Sequence, residues 1–517
     1  MKLSSCIPLL FVAFFSLTFS VIHAESGTHS SCTYGKLFVS DGADGSTVHV
    51  IDLNSGSNLT KETTVTVNGG AAANDLYVSA NTQVVGVLYY GSNATNYTDG
   101  VVNWIHTGAA LEEDGTTVAY TSPTALPNAA FDCVLPLHFT SNVGMIAIFC
   151  DGNYDVFSNS TIWVIDESKL SDTSASSVDE NVIIYNTTIL SSHHGNSLII
   201  DDDHLLYSLA SPDRIIRNVN GTDDVLASTF AVADLSGNVV YAIDDTSNVN
   251  TSCSGHHGIT NTHHTAVLAC DEIHGGVLMV SYDDTSKAYS SRALAYPVEG
   301  YRSFHFEQHN NASHIVGDLL LYDGATEELS SFHLFAFSTD DTLLTDSNIV
   351  KLPTEQYPCG FSYEKSEGNI VLVLVAEGLL LAYEFESSWT EVSRLQVVKN
   401  MTKCSQAVFA SGYAQAFVLT TAVDNATIYA IDLSKIHTEG IMTTYATSSI
   451  DFLPYSAVVA GVPLSTACTV NRNSTGNSSS DDGMADSSSA GATVAIAHCY
   501  EVTMMSIIIT VIVAVMS

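Results

Sequence analysis

Thr161-Ile162-Trp163-Val164-Ile165-Asp166 is the stretch whose reading decides the fold. It is a short β-branched and aromatic run stopped by an acidic residue, the pattern of a buried strand rather than a helix. The phrase recurs at Thr47-Val48-His49-Val50-Ile51-Asp52, Leu319-Leu320-Leu321-Tyr322-Asp323 and Thr427-Ile428-Tyr429-Ala430-Ile431-Asp432. Weaker copies lie at Leu278-Met279-Val280-Ser281-Tyr282-Asp283 and Leu380-Leu381-Ala382-Tyr383-Glu384. Gly, Asn, Asp and Ser break the chain between these runs, and no long amphipathic helical period is visible, so the chain reads as all-β.

A second recurring unit precedes most of these strands. It begins near Asn74, Asp132, His194, His257, His305, Cys359 and Cys404, on average about 55 residues apart, where four strands with their turns need about 40–50. Each unit is then one blade of a β-propeller with long loops, and the span 30–466 holds close to eight. Eight blades are expected, with seven as the alternative. Residues 36–67 offer two strands and a third beyond them, but no inner strand. Phe452-Leu453-Pro454-Tyr455-Ser456-Ala457-Val458-Val459-Ala460 can supply it. One blade would then be built from both termini, closing the ring and removing a sheet edge.

The chain's 517 residues carry 16 Lys+Arg against 55 Asp+Glu, a net charge of −39. That excludes a nucleic-acid binder working through phosphate contacts, which needs a basic face. With 46% hydrophobic and only 14% charged residues the chain is a folded, apolar-cored protein and not a disordered acidic tail.

The flanks read as export signals. Residues 1–24 combine Lys2 with the apolar run Ile7 to Phe15 and end at Ala24, as a secretory signal peptide does. Residues 467–490 are a Ser/Asn/Asp-rich linker. Residues 491–517 end in the uncharged apolar tail Met504–Met516, the pattern of a glycosylphosphatidylinositol anchor signal. Twelve Asn-x-Ser/Thr sequons agree with secretion: Asn58, Asn93, Asn96, Asn159, Asn186, Asn220, Asn250, Asn311, Asn400, Asn425, Asn473 and Asn477. The expected location is a eukaryotic cell surface, with the membrane reached through a lipid anchor.

Of ten cysteines, Cys6 leaves with the signal and Cys499 with the tail, so eight remain for an oxidising compartment. Cys133 and Cys150, like Cys253 and Cys270, stand at a spacing that suits neighbouring strands of one hairpin. Cys32 and Cys468 lie at the two ends of the folded span and can staple it, which leaves Cys359 with Cys404. Spacing favours this connectivity without fixing it.

The inner strands of a propeller converge on one channel, so residues at equivalent strand starts become neighbours. Those starts read Phe131-Asp132-Cys133, His193-His194-Gly195, His256-His257-Gly258 and Ser303-Phe304-His305 on successive units. Neutral imidazole is a common zinc ligand, and three or four ligands on rigid elements make a tetrahedral site. The Gly after each His pair lets backbones crowd at the channel mouth. His106, His138, His333 and His437 stand outside this phase and read as ordinary channel-lining or surface residues.

The stretch Cys253-Ser254-Gly255-His256-His257-Gly258, followed by Val267-Leu268-Ala269-Cys270-Asp271, resembles the Cys-x-Gly-x-His-Gly…Cys-Asp/Glu signature of AztD-type zinc metallochaperones. His193-His194-Gly195-Asn196-Ser197 with Leu205-Leu206-Tyr207-Ser208 is similar to that family's His-His-Gly strand. The resemblance covers residues 190–275. It implies a secreted β-propeller in which His194 and His257 hold zinc, with His193 and His256 as alternatives and Cys253–Cys270 as a structural disulfide beside the site. His305 and Asp132 are candidates, on phase alone, for completing it. The Asp-Gly of the signature is expanded here to Asp271-Glu272-Ile273-His274-Gly275-Gly276, and no His-rich segment follows the signal. Family members serve bacterial zinc transporters, a partner that a lipid-anchored surface protein cannot share.

The leading expectation is a non-catalytic zinc-binding propeller for metal capture, storage or delivery, with the metal ion and a surface metal transporter as partners. The −39 charge draws cations toward the channel. The alternatives are a metal-dependent, lactonase-like hydrolase and an adhesion ectodomain without metal. No Gly-x-Ser-x-Gly turn or His-Glu-x-x-His helix favours the enzyme.

Overall fold

The computed structural model describes residues 33–460 apart from internal segments, the longest being 92–99, 112–117, 171–181, 244–252 and 323–328. The chain forms eight antiparallel sheets in a ring, an eight-bladed β-propeller. Blade 3 shows the plan. Its strands are Pro136–Asn142, Met145–Cys150, Ser160–Asp166 and Ile183–Ile189, running from the channel outward in chain order. The second strand, Met-Ile-Ala-Ile-Phe-Cys, is buried at every position, because both its faces pack on neighbouring blades. The outermost strand alternates between half-buried and exposed residues, since one face meets water. The deciding run 160–166 is the third strand, facing a neighbour on both sides but nearer the rim.

Six of the inner strands begin one to four residues after the units read from the sequence, at Asp75, Pro136, Ser197, Ile259, Gly360 and Ala407, and that of blade 6 is split around its unit start at His305, as Tyr301–Arg302 and Phe306–Glu307. The eighth comes from the chain's other end. Pro454–Ala460 pairs antiparallel with Thr33–Asp41, with Leu37 opposite Val459 and Phe38 opposite Val458. It completes blade 1 with Thr47–Asn54 and Thr60–Thr66. Closure by both termini is therefore the observed topology.

Eight hydrophobic clusters lie between successive blades. The one joining blades 3 and 4 packs Ala147, Phe149 and Val164 on Ile199, Leu205 and Ala231. The cluster joining blades 8 and 1 packs Phe417 and Leu419 on Leu37 and Val39. Stability thus resides in the joints between sheets, and a buried Phe in such a joint is worth about 3–5 kcal/mol against Ala. Among the described residues three disulfides form: Cys133–Cys150, Cys253–Cys270 and Cys359–Cys404. The first two tie the lead-in of an inner strand to the end of the second strand in blades 3 and 5. Cys32, Cys468, the signal segment, the linker and the tail lie outside the described residues. So do nine of the sequons; Asn159, Asn186 and Asn400 are described and exposed.

Candidate metal centre

One backbone contact repeats where the inner strands of blades 3, 4, 5 and 6 begin. A backbone N–H on or just past the second strand donates to the carbonyl one residue ahead of the inner-strand segment: Asp151 to Leu135, Ser208 to Asn196, Ala269 to Gly258 and Asp318 to His305. These four residues are equivalent in blades 3, 4, 5 and 6, and they stand beside the histidines.

His193 and His194 enter blade 4 as adjacent residues of an extended segment, so their side chains point opposite ways. His193 turns inward and is fully buried. Its Nδ1 lies 3.3 Å from Ser160 Oγ and its Nε2 3.1 Å from Ser208 Oγ, which leaves it no free nitrogen. His194 turns to the channel. Its Nδ1 lies 2.9 Å from Oδ2 of Asp151, whose side chain is 0% exposed. A carboxylate on Nδ1 fixes the tautomer and points Nε2 outward. That Nε2 lies 3.4 Å from Nε2 of His138. Two nitrogens bound to one zinc ion at about 2.0–2.1 Å each stand about 3.3–3.4 Å apart in a tetrahedron. His138, Asp151 and His194 are the one group among the described residues that brings three potential ligand atoms together, all within 4.8 Å of one another.

His257 follows from blade 5, its ring centroid 5.5 Å from that of His194. Burial, helped by His194 and His305, holds its pKa down to about 4, and burial pushes His138 well below the usual imidazole range. Both are neutral at physiological pH, the form that binds a metal. The two glycines make the crowding possible. A Cβ on Gly195 would stand 2.3 Å from Ser208 Oγ and 2.4 Å from the Phe149 ring, and one on Gly258 3.1 Å from the Phe304 carbonyl.

The six candidate metal residues separate on this geometry. His194 and His257 face the channel together. His193 is committed to two hydroxyls. His256 is fully buried with its ring edge-on to Phe230, and among the described residues neither of its nitrogens has a hydrogen-bond partner. His305 stands one blade beyond His257, its Nδ1 3.1 Å from Asp318. Asp132 is a correction: it lies exposed on the outermost strand of blade 2, paired with Val101. Pro136 starts the inner strand four residues later than the phase implied, so the nearby carboxylate is Asp151. His138 is the second correction. It belongs to the group, although it reads as an isolated histidine. The register slips between Pro136 and His138, and Leu135 takes a positive φ of 58°. Such a bulge re-aims side chains, and here His138 reaches the channel from within the strand. Pro136 was the available signal.

No family model and no curated protein matches the chain in sequence. Solved structures do match. The structure of apo AztD from Citrobacter koseri superposes with a TM-score of 0.63 at 18% identity, over 84% of this chain and 100% of that one. A second Citrobacter koseri AztD structure gives 0.60 at 18%, over 83% and 99%. The chain shares the fold of AztD. At this identity the likeness to AztD is one of architecture, and the eight-bladed ring is its content.

Proposed function

We propose that this chain is a zinc-binding propeller that captures the metal at the cell surface and holds it for delivery. The observation that carries the reading is the pair of Nε2 atoms of His138 and His194, 3.4 Å apart, with His194 braced by a buried carboxylate. Two neutral nitrogens at that separation repel unless a proton or a cation lies between them, and a tetrahedral zinc ion fits the gap. His257 supplies the third imidazole, and a fourth position is left for water or an acceptor's ligand. Three imidazoles without thiolate favour a borderline ion over calcium, which takes oxygen ligands. The AztD-like signature at 253–271 and the shared fold support the same assignment.

Export fits this role. A signal reading at 1–24, exposed sequons at Asn159, Asn186 and Asn400, three disulfides and an apolar tail all point to an oxidising surface compartment. A surface metal transporter is the proposed acceptor. The deciding experiment is zinc titration of the purified, secreted protein against a chromophoric chelator. One tight equivalent is expected in the parent and none in the His138→Ala/His194→Ala double variant. A double variant that still takes up the tight equivalent sinks the assignment. Release of the protein from cells by a phosphatidylinositol-specific phospholipase tests the anchor separately.

A further inference from the structure

Blade 6 interrupts its innermost strand. Tyr301–Arg302 and Phe306–Glu307 both pair with Ile315–Tyr322, and residues 303–305 bow out of the ladder between them. A single carboxylate holds the bow. Asp318, 1% exposed, accepts the N–H groups of Phe304 at 2.7 Å and His305 at 2.9 Å. It also takes the Ser303 hydroxyl at 3.3 Å and the Tyr357 hydroxyl. Its second oxygen lies 3.1 Å from Nδ1 of His305, which is also 2.8 Å from the Tyr357 hydroxyl.

Stabilising the bow alone would need only the backbone contacts. The additional carboxylate and phenol on Nδ1 fix the ring itself, as Asp151 fixes His194, and direct Nε2 away from the wall. Yet the His305 side chain is 64% exposed, so the brace orients a group that faces the water of the channel mouth. The place is next to the first site. A Cβ on Gly258 would lie 3.2 Å from the His305 backbone nitrogen, so His305 abuts the residue that follows His257. Glu307, two residues on, adds negative charge at His305. His257 therefore stands between two carboxylate-braced imidazoles, His194 from its own side and His305 from the other.

We propose that His257 and His305 form a second station for a zinc-class divalent ion, one blade beyond the first, with His257 shared between the two. The inference rests on the three-histidine reading and extends it. An ion leaving His138 and His194 keeps one ligand while it gains the next, and with two imidazoles in place of three the second station is the weaker. It is the natural point of exchange with an acceptor.

The test is zinc titration of the full secreted protein by calorimetry and chelator competition. Because His257 can hold only one ion at a time, the parent should bind a single tight equivalent. His305→Ala should leave its affinity within about threefold, with an unchanged melting temperature. His305→Ala should slow transfer of that ion to a chelator, a readout that mere structural support would not move. His138→Ala should remove the tight step and retain one at least about tenfold weaker, which adding His305→Ala should abolish. A His305→Ala variant that transfers zinc as fast as the parent, or a weak step that survives in His138→Ala/His305→Ala, overturns the second station alone. A tight equivalent retained by the His138→Ala/His194→Ala variant overturns the first reading and this one with it.

Discussion

Blades 4 and 5 present the same tripeptide, His-His-Gly, at the same place, and the two copies end in different surroundings. In blade 4 the inward His193 meets Ser160 and Ser208, and the outward His194 meets Asp151. In blade 5 the equivalent positions are Phe230, Ala269 and Ser208. The inward His256 accordingly packs on a ring and is without a hydrogen-bond partner among the described residues. The motif places imidazoles at the channel mouth. The residues at the ends of the neighbouring second and third strands decide what each one does.

The widest separation should appear in metal affinity. His194→Ala should weaken zinc binding by more than about 100-fold, because it removes a ligand whose ring the Asp151 carboxylate already orients. A loss under about tenfold in a chelator competition would remove His194 from the ligand set. Asp151→Asn keeps the shape but removes the charge that fixes the His194 tautomer, and should cost about 10–100-fold in affinity; an unchanged constant would reduce Asp151 to a packing residue. The inward histidines differ in stability instead. Ser208→Ala strips a partner from His193 and from the Asn196 N–H, and chemical denaturation should show a loss of about 1–3 kcal/mol. The converse change, Ala269→Ser, gives His256 the hydroxyl that His193 has and should add about 0.5–1.5 kcal/mol. A neutral or destabilising result there would mean that blade 5 has adapted its cavity to an unpaired ring.

The ring was readable in the chain because a propeller's second strands are buried on both faces. Val84–Tyr89, Met145–Cys150 and Thr265–Cys270 are almost wholly apolar and buried at every position, and their repetition at a fixed distance leaves few other architectures. The closing strand was readable for the same reason: blade 1 lacked a member and 452–460 matched it. The site was readable only where its residues share a phase. His194 and His257 do. His138 arrives from inside a strand after a bulge, and Asp151 from the end of a different strand, so neither keeps the spacing of the pairs. Which of two adjacent histidines faces the channel is a matter of strand register, and a slip of one residue reverses it.

The strand Pro454–Ala460 joins Thr33–Asp41 across nearly the whole length of the polypeptide. During synthesis the first blade must wait, one edge bare, until its last member emerges. The metal-holding arc from Pro136 to Tyr322 is contiguous and can assemble long before that. The slowest event in maturation should then be the final joining of head to tail, and a chain ending at residue 453 should keep its imidazole arc while exposing an unpaired edge ready to recruit a second molecule.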